Sequence, residues 1–288
     1  MSLPIIMHVN FCEQGQTIEE MCQRAAAWGY DGIEFRRLRR DRDETPQEYL
    51  DTIARATEAA GLSQVLFGGP GFELMQDDAA ARQAQVEEGL TFYRLAGERF
   101  ELTVCNCMAG ALRNADAAVP YREYERHGSG IATDDHYAWA AEGYRELGGL
   151  AEELGFRLAF ETHMGYLHDL PDATARLLDL IDSPAVGANL DYGNIIHFPG
   201  APGLAETVAT LAGCLHMVHL KNSVPVPGGR IPTALGDGAI NNREFLGLLR
   251  ESGFAGPLCI EAPRPGDREW FAQQDIAYLK ALRRDLGW

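Results

Sequence analysis

Lysine is nearly missing from this chain: Lys221 and Lys280 are the only two, against many arginines. With a formal net charge of −17, the protein offers no basic field to nucleic-acid phosphates or an anionic membrane, so neither is expected as a partner. Paired cysteines are missing too. Cys12, Cys22, Cys105, Cys107, Cys214 and Cys259 contain no C-x-x-C and no paired spacing. Cys105 and Cys107 share one strand face at best, and two thiols alone make a poor zinc site. Free, buried thiols in a reducing compartment are expected instead. The opening MSLPIIMHVNF has no basic region and too short an apolar run for a signal peptide or a membrane span. The chain therefore reads as soluble and cytoplasmic. No Gly-x-Gly-x-x-Gly follows the first apolar run, which leaves little support for a dinucleotide-binding sheet.

What is present is an alternation of short apolar runs with longer amphipathic ones. The runs that read as strands are Ile5–Val9, Gly32–Phe35, Gln64–Phe67, Leu102–Cys107, Arg157–Glu161, Val186–Leu190, Leu215–Leu220 and Pro257–Glu261. Helical spacing lies between them, as in Thr17–Trp28, which opens with a Thr-x-x-Glu capping box, and Asp172–Ile181. Several helices stop at a glycine just before the next strand, as in AAWGYDG, EAAGLSQ, EELGFRL and RESGFAG. GYDGIEF, GFRLAFE and GFAGPLCIE repeat one pattern, ending on Glu34, Glu161 and Glu261. Eight strand–helix pairs fit one (βα)₈ TIM barrel as a single domain over residues 1–288. A long irregular stretch, about 109–133, carries Tyr121, Arg122, Tyr124 and Arg126 and suggests a lid or a subunit contact.

The parallel strands of such a barrel end at one rim, where binding and chemistry sit. Strands five to eight end in Glu161 (AFETH), Asp191 (ANLDYGN), His219 (MVHLKN) and Glu261 (LCIEAP). The first two spacings match one strand–helix unit; the third is longer because NSVPVPGGRIPTALGDG is inserted as a loop after strand seven. Each residue alone reads blandly, as a solvated strand-end acid, a cap or a rim histidine. Three carboxylates brought together would raise one another's pKa values. A divalent cation resolves that conflict, and oxygen ligands with one imidazole suit Mn²⁺ foremost, then Mg²⁺, Co²⁺ or Zn²⁺. His216 is the competing imidazole, but alternation points it opposite to His219. His163 shares the face of Glu161 and falls near the metal or the substrate. Lys221, beside His219, suits contact with a substrate oxygen, or a Schiff base as in barrel aldolases. Gly228, Gly229 and Arg230 resemble a phosphate cradle after strand seven, without a helix clearly starting there.

AFETHMGY, GANLDYGN, VHLKN and GDGAINNREFLGLLRESGFAGPLCIE resemble segments of the xylose-isomerase-like barrels of the sugar phosphate isomerase/epimerase superfamily. That superfamily also holds inosose and dehydroshikimate dehydratases and endonuclease IV. The resemblance implies one divalent metal held by Glu161, Asp191, His219 and Glu261. It implies a metal-polarised carbonyl, with Glu161 and Glu261 passing a proton through an enediolate. The implied activity is isomerisation or epimerisation of a keto-sugar or related polyol; the alternative is a dehydratase or lyase using the same first step. A non-catalytic sugar-binding barrel is the reading from another class. His163, Asn194, Lys221 and Arg230 are the candidate substrate contacts, with Glu34 and His8 behind them. Asn194 stands where ketose epimerases of this family carry a histidine, and Asn cannot shuttle a proton. QVLFGGP, TVCNCMAG and GDGAI lack the extra histidines of endonuclease IV, which argues against DNA repair. A small-molecule sugar or polyol is the expected partner, with homo-oligomerisation left open.

Overall fold

Three of the helices start the same way. Thr17, Thr45 and Thr133 each accept from the backbone three residues on, and the residue at that position (Glu20, Glu48, His136) reaches back to the threonine N–H. These capping boxes satisfy orphan amide donors at the point where the chain turns from loop to helix. At the other end Gly29, Gly61 and Gly155 adopt the left-handed conformation (φ 85°, 71° and 77°) that closes a helix and releases the chain into the next strand.

The computed structural model describes residues 3–39, 42–227, 229–262 and 264–288. The strands are β1 (Ile5–His8), β2 (Gly32–Arg36), β3 (Gln64–Gly68), β4 (Val104–Cys107), β5 (Arg157–Glu161), β6 (Val186–Asp191), β7 (Leu215–Leu220), β8 (Asn222–Val226), β9 (Gly229–Thr233) and β10 (Leu258–Ile260). The helices are α1 (Ile18–Trp28), α2 (Pro46–Ala60), α3 (Ala79–Gly97), α4 (Asp134–Leu154), α5 (Pro171–Ile181), α6 (Tyr192–Ile195), α7 (Leu204–Leu211), α8 (Asn242–Glu251) and α9 (Arg268–Leu286). Eight strands pair in the order β3-β2-β1-β10-β7-β6-β5-β4, every named pair parallel, with β3 and β4 in contact across the remaining seam. This is the nearly closed barrel with outer helices that the alternating pattern predicts. Among the described residues no helix is long and apolar enough to cross a membrane.

Two stretches differ from the sequence reading. The insertion after β7, read as a loop, folds into an antiparallel hairpin of β8 and β9, with Val224 opposite Ile231. Pro225 and Pro232 hid it, because proline normally demotes a strand. The stretch 109–133 is not wholly irregular either: it contains 3₁₀ turns at Tyr124–Arg126 and Gly128–Ile131. The first strand also ends one residue early. Val9 enters a 3₁₀ turn, Val9–Cys12, in which the His8 side chain accepts from Asn10 N–H. The cysteines are free, and burial pushes the Cys105 thiol up to about 12.

Alternation of side chains divides each strand between two environments. One set faces the helices and joins the main apolar core. The other faces the barrel axis, where Ile6, Leu66, Val104, Ala159, Met217 and Cys259 form a separate buried cluster. Two residues further along the same strands stand His8, Gly68, Asn106, Glu161, His219 and Glu261. The barrel thus has an apolar plug below and a polar layer above. Gly68 is glycine for a steric reason: a Cβ there would lie 2.2 Å from Glu34 Oε1, which occupies that space. The plug is the floor of the polar layer, so Met217→Ala should lower the free energy of unfolding by about 2–5 kcal/mol. A urea titration should show the midpoint falling at unchanged slope; an unmoved midpoint would mean the plug is not close-packed.

Candidate metal centre

The residue ending β5, the residue ending β6, the penultimate residue of β7 and the residue after β10 meet in the polar layer. One ligand atom from each of Glu161, Asp191, His219 and Glu261 lies within 4.8 Å of all the others. Register holds them there: Asp191 pairs with His219, and Glu261 N–H donates to Leu220 O (3.0 Å). His219 Nε2 donates to Glu34 Oε2 at 2.8 Å. Its Nδ1 lies 3.3 Å from Glu261 Oε2 and 3.7 Å from Glu161 Oε2 and makes no hydrogen bond. A ligating histidine commonly has a carboxylate behind its far nitrogen, fixing the ring and raising its basicity. Asp191 Oδ1 is also buried without a partner.

Buried carboxylates and cationic side chains face one another across the centre. Burial works against a charged His219, yet Glu34 and Glu161 hold its imidazole well above the ordinary histidine range. Lys221 Nζ lies 2.6 Å from Asp191 Oδ2 and 3.2 Å from Glu261 Oε2. Burial pushes the Asp191 carboxyl up to about 7 against the pull of Lys221. For Glu261 burial also raises the value, but Lys221, His8 and His219 together hold it well below the carboxylate range. Three carboxylates, one imidazole and two orphaned buried ligand atoms fit a divalent cation of the Mn²⁺ or Mg²⁺ kind. Glu34, His219 and Cys259 also lie close together. Burial keeps the Cys259 thiol well above its ordinary value.

Asparagines brace the carboxylates. Asn106 Nδ2 donates to Glu161 Oε2 (3.0 Å) and Glu34 Oε1 (3.2 Å), and Asn189 Nδ2 donates to Asn106 Oδ1 (3.1 Å). Asn10 Nδ2 donates to Glu261 Oε1 (3.3 Å). Asn194, a candidate substrate contact from sequence, directs its amide N–H groups to Glu161 Oε1 (3.1 Å) and Asp191 Oδ2 (3.0 Å). Sequence reasoning overlooked Asn10, Asn106 and Asn189 and ranked Glu34 low. The signal was available for three of these four: Glu34, Asn106 and Asn189 have the parity that faces the barrel axis.

The remaining candidates border the centre. A cavity of about 210 Å³ is lined by His163, Gly193, Lys221, Asn222, Arg230 and Glu261, among others. His163 Nδ1 donates to Met164 O (2.9 Å), leaving Nε2 as an acceptor, and burial lowers its pKa. Arg230 Nη1 donates to Gly193 O (3.3 Å). Gly228 of the suggested phosphate cradle lies outside the described residues, and Gly229 belongs to β9. His8 Nε2 stands 3.9 Å from Glu261 Oε1. His216 lies apart from the centre, with Nδ1 donating to Leu158 O (3.3 Å) and burial pushing it down to about 4. The 109–133 stretch is tied across the end of β5: Tyr121 donates to Met164 O (2.9 Å). His168, which earned no role from sequence, donates to Glu161 O (2.6 Å) and accepts from Ala109 N–H (3.2 Å).

Calorimetric titration with Mn²⁺ should show Glu34→Gln weakening affinity about 10–100-fold and His219→Gln weakening it more. His216→Asn should leave affinity unchanged; a comparable loss there would assign the wrong imidazole. Wild-type affinity should rise with pH, because the cation displaces the proton that Glu34 and Glu161 hold on His219.

Residues 22–282 match the family described as the xylose isomerase-like TIM barrel. Over 150 residues the chain is 25% identical to an inosose dehydratase of Clostridium perfringens, covering 47% of this chain and 50% of that protein. The chain thus spans about half the length of the curated relatives it matches. A xylose isomerase-like TIM barrel protein of Mycobacterium smegmatis, solved in complex with magnesium, superposes with a TM-score of 0.73 at 20% identity, over 98% of this chain and 96% of that one. D-Psicose 3-epimerase of Clostridium cellulolyticum, solved with D-tagatose, superposes with a TM-score of 0.76 at 13% identity, over 97% and 99%. With a family match running from α1 to α9, the chain belongs to the xylose isomerase-like TIM barrel family.

Proposed function

We propose that this protein is a divalent-metal-dependent isomerase or epimerase of a keto-sugar or related polyol. One observation carries the reading: two glutamates from separate strand ends, Glu161 and Glu261, converge with Asp191 and the His219 Nδ1, which makes no hydrogen bond, on one centre beside a cleft. Glu161, Asp191, His219 and Glu261 would hold the metal. When bound, the cation would supply Lewis acidity that lowers the cost of losing a proton beside a carbonyl.

The chain's own residues then do the rest. Glu261 lines the cleft and is the more open glutamate, its side chain 19% exposed against 4% for Glu161. Lys221 and His219 keep it ionised, which suits a group that takes a proton from the substrate carbon. Glu161, steadied by Asn106 and Asn194, takes up a proton from solvent and passes it to the resulting enediolate, while Glu261 releases the proton it took to solvent. His163, neutral and with Nε2 free to accept, orients a substrate hydroxyl, and Arg230 and Lys221 hold further oxygens. The ammonium of Lys221, held charged between Asp191 and Glu261, lacks the lone pair a Schiff base requires.

A dehydratase or lyase is the second reading, and the likeness to inosose dehydratases favours it. The two share proton removal and part afterwards, according to whether the enediolate is reprotonated or expels a β-hydroxyl. Proton NMR in D₂O with Mn²⁺ and a panel of keto-sugars, ketoinositols and dehydroshikimate separates them. Deuterium beside the carbonyl with a new epimer or isomer is the expected result; an alkene signal would assign the dehydratase. No change with any compound would favour the binding-only barrel. Glu261→Gln should lower the exchange rate at least about 100-fold while the protein stays folded, and unchanged turnover would remove its role. Chelation of the metal should abolish exchange and added Mn²⁺ restore it; turnover that survives chelation would remove the metal from the reading.

A further inference from the structure

Beside the mouth of the barrel lies a larger cavity, of about 540 Å³, that shares no lining residue with the cleft at Glu261. It is within the size range of small-molecule sites. Its floor is apolar, built from Val9, Ile18, Met21 and Phe35, all buried. Its rim is cationic, with Arg36, Arg39 and Arg42 contributed by the end of β2 and the segment that follows. Such a cluster stands out in a chain of net charge −17.

The three guanidinium groups are held differently. Arg36 binds Glu13 through Nε (2.6 Å) and Nη2 (2.7 Å), and its Nη1 makes no hydrogen bond among the described residues. Arg39 binds Glu44 through Nε (2.6 Å) and lies over the Tyr49 ring, 4.6 Å from its centre. Arg42 is exposed and makes no ion pair among the described residues. Glu13 and Glu44 answer two of the three charges, so among the described residues lining the cavity the guanidinium groups outnumber the carboxylates above an apolar floor. An inorganic anion would use the rim alone, and a neutral apolar molecule the floor alone.

We propose that this cavity is a binding site for a small amphipathic carboxylate, its apolar body on the Val9, Ile18 and Phe35 floor and its carboxylate on Arg36 and Arg42. Planar guanidinium groups match carboxylate geometry, and two donors from separate positions add specificity. The site stands on its own geometry and does not depend on the reaction proposed above. It does adjoin that centre: Val9 follows His8, and Arg36 comes two residues after Glu34 on the same face of β2.

Titration calorimetry on the full chain in the presence of Mn²⁺ tests this with 2-naphthylacetate, its neutral amide and inorganic phosphate. The acid should bind saturably and at least tenfold more tightly than either the amide or phosphate. Arg36→Met and Arg42→Met should each weaken it about tenfold. Equal binding of acid and amide, or undiminished binding by both variants, would overturn the proposal, and so would phosphate binding as tightly as the acid. If Arg36→Met fails to fold once Glu13 loses its partner, the exposed Arg42→Met decides alone. Mn²⁺ affinity of Arg42→Met should equal wild type, which keeps failure here distinct from failure of the metal centre.

Discussion

Buried negative charge at the mouth of the barrel is the constraint around which the rest is arranged. Glu34, Glu161, Asp191 and Glu261 lie in one polar layer, three of them almost wholly removed from water. Carboxylates in that position either take up protons or face cations, since isolated buried charges are prohibitively costly. Lys221, the His219 imidazole and the amides of Asn10, Asn106 and Asn194 meet part of that demand. The unpartnered His219 Nδ1 and Asp191 Oδ1 mark where the demand is still unmet. The same charges that would hold a metal therefore make the surrounding hydrogen-bond network necessary.

The barrel makes this concentration tolerable by layering. The polar layer rests on the plug of Ile6, Leu66, Val104, Ala159, Met217 and Cys259, and the outward faces of the strands bind the helices through a continuous apolar core. Dispersion and burial across those two interfaces hold the strands in register, and register fixes where each carboxylate stands. Above the layer, His168 and Tyr121 fasten the 109–133 segment to the end of β5, and the β8–β9 hairpin brings Arg230 to the cleft. Loops carried on a rigid scaffold are the usual place for specificity. Here the proposed proton-transfer groups belong to strand ends and the proposed substrate contacts to the segments that follow them.

The fold was legible because its units are local. Gly29, Gly61 and Gly155 as helix stops, the Thr17 start, and apolar runs at regular spacing each have a short-range cause. The β8–β9 hairpin was not legible, since Pro225 and Pro232 contradict strand propensity and the pairing between the two segments outweighs it. Val9 was misread for a related reason: its apolar side chain suits a strand, but the His8 side chain captures the Asn10 amide and turns the chain.

By itself the sequence determined that acidic and imidazole side chains end four successive strands, because strand parity and the common rim of a parallel barrel follow from local pattern. It also separated His219 from His216, as the two lie an odd number of residues apart on one strand. Only the tertiary structure decided how those charges are balanced. Glu34 behind His219, Asn106 between two glutamates, Lys221 between Asp191 and Glu261, and the arginine-rimmed cavity at Arg36 all join residues distant in the chain. Such contacts depend on distances of a few ångströms across the barrel, and no periodicity along a single strand encodes them.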